Sequence, residues 1–360
     1  MKICLLTGNL GSGGIGRVYL NLSQAFLYTG NSVDIYMIKP ITDRIDLIPK
    51  GVNIFLGSGS HRFGFFELFK YINREKPDLL ISPRAHTNLL AIILKLIKGK
   101  NLKVFLTFHT NHHQDEQKKW AWLNKHIVRF ADCLIAVSHG VASQIEQDWN
   151  LKRGTVKIIY NPIWDEKFEV QKNDLVNHPW LEKKEEPSRR IIISVGRLTK
   201  AKNYELLIRA FVLLNAKIES KLIILGDGED RENISALINH LGMQDLIDLP
   251  GKVPNPLAYM AKADLFVLSS IWEGLPTVLV EALGVGLPIV STNCPFGPAE
   301  ILENGKYGSL VATNDVDELA DAMYKRLSSV TDPVTQNRRA YDFSFQSSAK
   351  EYLALYNKAL

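Results

Sequence analysis

Residues 263–284 read ADLFVLSSIWEGLPTVLVEALG, and this stretch says most about the fold of the chain. The apolar run Leu265–Leu268 predicts a buried strand, and the apolar run after Pro276 predicts a helix. Pro276 fits the first turn of that helix, where a missing N–H costs nothing. The free amides of this turn, beside the positive end of the helix dipole, would form a natural site for a diphosphate.

Two carboxylates flank the predicted helix start. Glu273 lies in the loop before it and Glu281 lies within the helix, so both are placed to accept hydrogen bonds from hydroxyl groups. This combination indicates a sugar nucleotide. The spacing alone is weak evidence, because a chain with 19 glutamates should contain roughly one such pair by accident. Glu67 and Glu75 have the same spacing in a segment typical of a charged surface helix.

The length of 360 residues predicts two domains, and the composition, 46% hydrophobic and 22% charged, is that of an ordinary globular protein. We expect a first domain over 1–165, a linker over 166–188 and a second domain over 189–340. A C-terminal helix over 341–360 is expected to pack back on the first domain. The three cysteines are odd in number and far apart, which favours reduced, non-ligand residues in a cytosolic protein.

Strand-like runs alternate with amphipathic helical patterns in both halves of the chain. This alternation predicts an α/β protein with two Rossmann-like, doubly wound parallel sheets, and a ligand cleft between the domains at the carboxyl ends of the strands. The expected strands are 3–7, 33–38, 78–82, 104–108, 133–137 and 156–160, then 191–195, 221–225, 247–249, 265–268, 288–291 and 309–311.

Positive charge is concentrated in the first half. Residues 1–165 hold 21 Lys and Arg against 12 Asp and Glu, a net charge of +9, and the remainder has a net charge of −4. Cations are interleaved with aromatic residues over 61–71, and Lys95, Lys98, Lys100 and Lys103 surround an apolar helix. Solvated helix faces are one interpretation; a surface for anionic lipid or an anionic lipid-linked substrate is the second. A nucleic-acid partner is not expected, because no recognisable binding module is present.

The glycine-rich residues 11–16 match the dinucleotide pattern G-x-G-x-x-G by letter. However, three residues separate them from the preceding strand, and Asp34 lies at the start of the second strand rather than at its end. The loop therefore favours a close backbone approach to a phosphate or sugar, with a helix starting near Ile15, over NAD binding.

Two cations precede the opening stretch in the second half. Arg197 follows the predicted strand 191–195, and Lys202 lies five residues later, before a predicted helix over 204–211. Together with the helix start at Pro276 they would hold a diphosphate from two sides. Either cation alone is often part of an ordinary surface turn.

In their order and spacing these motifs resemble the retaining glycosyltransferases of family 4, which have the two-domain GT-B fold. The resemblance covers essentially the whole chain and is strongest over 190–310. It implies that Arg197 and Lys202 neutralise the donor diphosphate. It also implies that Glu281 binds the ribose hydroxyls and that Glu273 faces the donor sugar.

The resemblance assigns roles to backbone groups of two further segments. Amides of 274–278 would support phosphate or sugar oxygens, and the loop 251–255 would lie beside the nucleobase. The residues implied in these contacts are Gly274, Leu275, Thr277, Val278, Lys252 and Val253.

The fourth predicted strand ends at a histidine, where this family usually has one against the donor sugar. The resemblance therefore adds His109 to Glu273 and the two cations as a catalytic residue, although a lone His at a strand end is more often structural. His112 and His113 on the same loop are rivals for this contact. Gly14 and Arg17 resemble the family loop that closes over the donor phosphate; for Arg17, a helix-surface role is equally open.

The expected chemistry follows from charge. Breaking the anomeric C–O bond leaves negative charge on the nucleoside diphosphate, and the cations and the helix dipole would stabilise it without a metal. No Asp-x-Asp stands at a strand end; Asp315 to Asp317 match by letter but are typical of a helix N-cap. We therefore expect no metal and no cofactor. The family implies a same-face substitution in which the leaving phosphate helps to deprotonate the acceptor.

Residues 291–302 resemble the variant found in bacterial transferases that build surface glycans such as capsule or lipopolysaccharide. A UDP-hexose or UDP-N-acetylhexosamine donor is favoured, with GDP-mannose next. The acceptor is expected to be a saccharide, free or linked to a polyprenyl diphosphate, which implies a cytoplasmic protein, peripheral on the inner face of the membrane. Two rival functions stay open: a sugar-nucleotide epimerase or hydrolase of the same fold, and a non-catalytic subunit that binds a glycan or a nucleotide.

Overall fold

The computed structural model describes residues 1–10, 14–39, 47–59, 64–109, 125–182 and 189–359. The chain forms two compact units: unit 1 is Met1–Ile163 with Phe343–Leu360, and unit 2 is Trp164–Asp342. Residues 164–182, which include most of the expected linker, belong to unit 2 and contain two short helices.

Unit 1 contains a seven-stranded parallel sheet in the order β3-β2-β1-β4-β5-β6-β7. The apolar runs predicted all of its strands except β3, which lies at the sheet edge and has mostly exposed or half-buried side chains. An edge strand of this kind has no continuous apolar run to reveal it. The strands are β1 Lys2–Thr7, β2 Ser32–Met37, β3 Val52–Leu56, β4 Leu79–Ser82, β5 Lys103–Phe108, β6 Cys133–Ala136 and β7 Val156–Ile158.

The helices described in unit 1 are α1 Gly14–Tyr28, α2 Gly64–Glu75, α3 Ala85–Lys98, α4 His139–Asp148 and, from the end of the chain, α14 Phe345–Ala359. The C-terminal helix α14 packs beside α1 and shares the core of unit 1. Its Tyr352 ring meets the Phe26 ring edge-on, with centroids 5.7 Å apart.

Unit 2 contains a six-stranded parallel sheet in the order β10-β9-β8-β11-β12-β13. Its strands are β8 Arg190–Val195, β9 Ser220–Leu225, β10 Ile247–Gly251, β11 Leu265–Leu268, β12 Ile289–Thr292 and β13 Ser309–Val311. Its helices are α5 Lys167–Gln171, α6 Pro179–Glu182, α7 Tyr204–Asn215, α8 Arg231–His240, α9 Pro256–Met260, α10 Thr277–Gly284, α11 Pro298–Ile301, α12 Val316–Leu327 and α13 Pro333–Tyr341.

The strand order of each sheet reverses beside its first strand. In unit 2, β8 pairs with β9 on one side and with β11 on the opposite side. The carboxyl ends of two neighbouring strands whose connections run in opposite directions leave a crevice, which is where open α/β sheets bind ligands. The residues after β8 and β11 therefore occupy the expected position of a ligand site.

Candidate functional site

The candidate site of unit 2 is formed by loops that follow β8, β11 and β12. Lys202 ends a short 3-10 turn after β8, and Glu273 lies between β11 and α10. The two side chains form an ion pair, with Lys202 Nζ 2.5 Å from Glu273 Oε1 and only 19% and 14% of the side chains exposed. Ser270 Oγ donates to the same carboxylate oxygen over 2.7 Å. The structure thus brings together two of the predicted catalytic residues.

Buried hydroxyl groups hold the backbone on both sides of this ion pair through hydrogen bonds. Ser269 Oγ donates to the Lys202 carbonyl over 2.8 Å, and Thr292 Oγ1 donates to the Ser270 carbonyl over 2.6 Å. Ser269, Ser270 and Thr292 are each at most 1% exposed. The sequence reasoning missed them, although polar residues that directly end buried apolar strands are a recognisable signal.

Arg197 does not join the Lys202–Glu273 pair. Its side chain is 69% exposed, and its guanidinium contacts the Glu229 carboxylate over 3.4 Å. An exposed pair at this distance contributes little to stability, so the Arg197 side chain can leave it at little cost. Both predicted cations therefore follow β8, but Lys202 contacts Glu273 whereas Arg197 contacts Glu229.

The expectation that Pro276 lies in the first turn of the helix is wrong by one residue. Helix α10 begins at Thr277, and Pro276 is its N-cap, with φ −71° and ψ 94°. A ψ in the extended region takes the Pro276 backbone out of the helix, while its missing N–H still costs no helical hydrogen bond. Thr277 and Val278 are half-buried in the first turn, and Gly274 and Leu275 are buried before it.

Glu281 differs from Glu273 in its environment. It lies on the inner face of α10 and is 1% exposed, whereas Glu273 lies in a loop and is partly exposed. The two predicted carboxylates therefore belong to one unit, and the loop carboxylate is the more accessible of the two. The assignment of Glu281 to the ribose stays a prediction.

Two glycines for which the sequence predicted no role allow close backbone contacts between the loops near the site. Gly226 has φ +141°, and a Cβ there would lie 1.8 Å from the Gly196 carbonyl oxygen. A Cβ at Gly228 would lie 2.3 Å from the Leu198 carbonyl oxygen. These glycines let the loop after β9 lie directly on the backbone after β8, which places the segment that contains Arg197.

Gly297 performs a similar task on the opposite side of the site. Its φ is +96°, and a Cβ would lie 2.3 Å from Pro276 Cδ. The backbone after β12 therefore lies against the start of α10. The sequence signal is the Phe-Gly-Pro step at 296–298, within the stretch 291–302 that carries the resemblance to surface-glycan transferases.

Lys252 and Val253 follow β10 at the same edge of the sheet. Lys252 is exposed and Val253 is half-buried, and the Gly226 amide donates to the Gly251 carbonyl over 2.9 Å. This hydrogen bond ties the loop after β10 to the glycine loop after β9. Contact with a nucleobase stays a prediction for Lys252 and Val253.

In unit 1, His109 directly follows β5. Thr107 Oγ1 lies 3.0 Å from His109 Nε2, and the ring is buried. Burial, and then the positive charge of Arg84, lower the pKa of His109 from 6.5 to about 4. The ring is therefore neutral near pH 7, with one nitrogen engaged by a hydroxyl.

The remaining predicted residues of unit 1 are only partly described. Gly14 begins α1 and Arg17 lies exposed on it, which is compatible with either role considered for Arg17. The glycines at 11 and 13, and His112 with His113, lie outside the described residues.

Several motifs that match a functional pattern by letter have structural roles. Asp34 is buried and accepts hydrogen bonds from Asn53 over 2.9 Å and from Tyr71 over 2.7 Å, so its carboxylate is used inside the fold rather than for a dinucleotide. Asp315 caps α12 by accepting from the Glu318 amide over 2.8 Å, as predicted. The Glu67–Glu75 pair lies on α2, a partly exposed helix.

The cluster of lysines around α3 is not one surface patch. Lys95 and Lys103 both contact the Asp132 carboxylate, at 2.8 and 3.6 Å, and their side chains are only 14% and 12% exposed. They stabilise the fold, so only Lys98 and Lys100 remain as surface charges of that cluster.

The cysteines and the acidic and histidine side chains form no metal site where the structure describes them. Cys4, Cys133 and Cys294 are free thiols. Within the described ranges, no group of three or more His, Cys, Asp or Glu could hold a metal ion. No helix in that part of the chain is long and apolar enough to cross a membrane.

Two family models match the chain. The model described as Glycosyl transferases group 1 matches residues 179–342, and the model described as Glycosyltransferase Family 4 matches residues 12–167. The first match lies within unit 2, and nearly all of the second lies within unit 1. The chain therefore belongs to the family 4 glycosyltransferases, and it has their GT-B fold.

Individual relatives agree with this assignment. An uncharacterized glycosyltransferase of Methanocaldococcus jannaschii is 32% identical over 66% of this chain, and that match spans only 61% of the relative's own length. An α-1,4-N-acetyl-D-galactosaminyltransferase of Campylobacter jejuni, named for a GalNAc-containing saccharide on PP-undecaprenol, is 26% identical over 99% of this chain and 98% of its own.

A solved structure supports the fold independently. The HepE protein of Anabaena, crystallised with UDP and glucose, aligns with 99% of this chain and 100% of its own at a TM-score of 0.81. The sequence identity is 17%, so this likeness concerns the fold alone. The GT-B fold predicted from the motifs is confirmed.

Proposed function

We propose that this chain is a retaining glycosyltransferase that moves a hexose or N-acetylhexosamine from a UDP-sugar to a lipid-linked saccharide. The observation that carries the proposal is the Lys202–Glu273 pair beside the start of α10. In the proposed site, Lys202 would supply a cation for a phosphate, Glu273 a carboxylate for sugar hydroxyls, and the first turn of α10 amides for oxyanions.

In the proposed reaction, the bond between the anomeric carbon and the diphosphate oxygen breaks, and the oxygen keeps the electron pair. The acceptor hydroxyl forms the new C–O bond on the same face of the sugar and gives its proton to the leaving phosphate. Lys202, Arg197 and the first amides of α10 stabilise the charge that develops on the diphosphate. Arg197 is exposed and weakly held, so it can turn to a ligand.

The remaining residues would bind the rest of the donor. Glu273 accepts hydrogen bonds from sugar hydroxyls, Glu281 binds the ribose, and the loop of Lys252 and Val253 contacts the base. His109 is kept as a candidate for a sugar contact, because a neutral ring both donates and accepts hydrogen bonds. A UDP-sugar is preferred to GDP-mannose because residues 291–302 resemble the surface-glycan transferases and the Campylobacter relative is named as an N-acetylgalactosaminyltransferase.

A transfer assay with a panel of UDP-sugars and GDP-mannose tests this proposal. We expect Lys202→Ala to lower kcat/KM by about 100-fold or more, because a charge that stabilises the transition state is lost. Lys217→Ala is the matched control, since Lys217 is an exposed lysine of the same unit paired with Asp321 over 2.8 Å. Equal activity of both variants, or consumption of none of these donors, would contradict the proposal.

Incubation with donor alone separates the rival activities. A transferase leaves most of the donor intact when no acceptor is present, whereas an epimerase yields an altered sugar and a hydrolase rapidly frees it.

We also infer that the reaction needs no metal, because Lys202, Arg197 and the helix amides already neutralise the diphosphate. Chelation with EDTA should leave kcat unchanged; a loss of activity restored by Mg²⁺ would contradict this inference.

The acceptor and the membrane association form a further part of the proposal. The outer face of α3 exposes Ile93, Leu96 and Ile97, which are 36%, 59% and 55% exposed and share one helical face. Phe130, 44% exposed, lies in a 3-10 turn of the same unit. We call these four residues, three on α3 and Phe130 on the 3-10 turn, the α3 apolar face. Apolar side chains bordered by cations are typical of a surface that rests on anionic lipid.

The bordering cations are Lys98, Lys100 and Arg129. Each contributes about 1 kcal/mol when it lies near an anionic leaflet. We therefore propose that the protein binds the inner face of the membrane through the α3 apolar face, and that the acceptor saccharide is attached to a polyprenyl diphosphate in that leaflet.

Sedimentation with vesicles tests the membrane contact. Replacing Leu96 and Ile97 by serine, or Lys98 and Lys100 by glutamate, should reduce binding to vesicles that contain anionic lipid. Replacing Val330 and Val334 by serine, two exposed apolar residues of unit 2, is the control. Unchanged binding of the α3 variants would exclude this face as the membrane contact.

A further inference from the structure

Ser270 holds the loop carboxylate in place from the protein side. Its Oγ donates to Glu273 Oε1 over 2.7 Å, and the residue itself is fully buried. The Ser270 carbonyl accepts from Thr292 Oγ1 over 2.6 Å, so its backbone is fixed to the end of the neighbouring strand β12. A buried hydroxyl anchored in this way has little freedom to follow a moving partner.

Lys202 shares the same carboxylate oxygen. Lys202 Nζ and Ser270 Oγ both bind Oε1 of Glu273. The two partners differ in mobility, because Lys202 has a long flexible side chain and Ser270 has a short one next to a strand end. A diphosphate, which carries more negative charge than one carboxylate, would compete with Glu273 for the Lys202 ammonium.

We propose that Ser270 is a positioning residue that keeps Glu273 directed at the donor sugar when the diphosphate draws Lys202 away. The inference rests on the proposed function of this site. With Oε1 fixed by Ser270, Oε2 can be directed at a sugar hydroxyl, and the carboxylate does not have to be reoriented during turnover. Because a displacement of about 1 Å can cost roughly 100-fold in rate, a single hydrogen bond to this carboxylate matters.

The first experiment separates positioning from folding. Ser270→Ala should lower kcat by about 10- to 100-fold, because Glu273 is no longer held. The Kd for UDP, measured by calorimetry, should stay unchanged, because UDP has no sugar for Glu273 to bind. Ser220→Ala is the matched control: Ser220 is equally buried in unit 2 and donates to the Ile218 carbonyl over 2.8 Å. It should alter neither quantity.

A second variant tests whether Ser270 acts through Glu273. In a Glu273→Ala background, which removes the acceptor of the Ser270 hydroxyl, Ser270→Ala should cause little further loss of kcat, because residues that act as one unit are not additive. An unchanged kcat in the single variant, a parallel loss of UDP affinity, or full additivity of the two substitutions would each overturn the inference. If wild-type protein transfers no sugar at all, the proposed function fails first, and this outcome is distinct from a failure confined to Ser270.

Discussion

At the residue scale, neighbours decide what a charged side chain does in this chain. Glu67 accepts a hydrogen bond from the Ser58 amide on the surface of unit 1, whereas Glu273 is paired with Lys202 in a partly buried loop. Lys95 lies in a basic stretch yet is used internally by Asp132. Residue type and spacing suggest candidates, and only the contacts distinguish a site from a surface.

His109 leads to a prediction about pH. Its pKa is lowered to about 4 in the folded protein, so between pH 6.5 and about 4 the unfolded chain binds more protons than the folded one. Stability should therefore fall as the pH decreases through this window. We expect the free energy of unfolding, from urea titrations, to fall less steeply in His109→Gln than in wild type. The exposed His240→Gln variant serves as control, and equal slopes for all three would contradict the prediction.

Gly226 leads to a prediction about stability. Gly226→Ala places a Cβ 1.8 Å from the Gly196 carbonyl oxygen, so the two loops have to separate at a cost of about 2 kcal/mol or more. Gly242→Ala is the control, because its φ of +67° brings backbone strain but no described atom lies within 4 Å of the added Cβ. Chemical denaturation should show a clearly larger loss for the first variant; similar losses would mean that the close approach is unimportant.

At the element scale, strands were predicted better than the exact ends of elements. The run at 191–195 is apolar at every position but one because β8 is buried on both faces, and such a run cannot be mistaken for a loop. The edge strand Val52–Leu56 was not predicted, because its side chains are exposed or half-buried and the strand therefore has no continuous apolar run. Helix α10 begins one residue later than expected, because whether a proline lies at N1 or at the N-cap depends on its ψ angle, which the sequence does not specify.

Helix α14 provides the prediction at this scale. Tyr352 is 5% exposed and packs edge-on against Phe26 in the core of unit 1. Tyr352→Ala should lower the free energy of unfolding by about 3–5 kcal/mol, as large buried aromatic residues do. Tyr28→Ala, which removes a tyrosine that is 51% exposed in the same unit, should cost far less. If both variants unfold at the same denaturant concentration, α14 contributes little to the core.

At the scale of the whole molecule, the chain returns to the unit in which it began. The Ile163 amide donates to the Phe343 carbonyl over 2.9 Å within unit 1, and the Trp164 and Tyr341 rings lie 5.2 Å apart within unit 2. The entry and exit segments of unit 2 thus lie side by side. Unit 2 is one uninterrupted segment with its own sheet and core.

This arrangement predicts different behaviour for the two halves when they are expressed separately. The fragment 164–342 should unfold cooperatively on its own and bind UDP, because it contains a complete core and the Lys202–Glu273 pair. The fragment 1–163 should be much less stable unless residues 343–360 are joined to it, because it lacks the α14 side chains of its core. Circular dichroism melts of the three fragments check this; equal stability with and without 343–360 would contradict it.

The amino-acid pattern by itself determined the class of the fold and the chemical type of the site. Apolar runs that alternate with amphipathic segments admit few architectures besides doubly wound sheets, and the order of Arg197, Lys202, Glu273 and Glu281 indicated the family. Local patterns suffice for this because burial on both faces of a strand is written into consecutive residues.

Only the tertiary structure decided which groups meet. Lys202 and Glu273 are 71 residues apart, and their meeting beside Ser270 depends on β8 and β11 lying side by side in the sheet. The same holds for the close backbone contact of Gly226 with Gly196 and for the use of Lys95 inside the fold. Contacts of this kind are set by strand order and loop packing. Strand order and loop packing depend on interactions between residues far apart in the chain, so no single stretch of sequence specifies them.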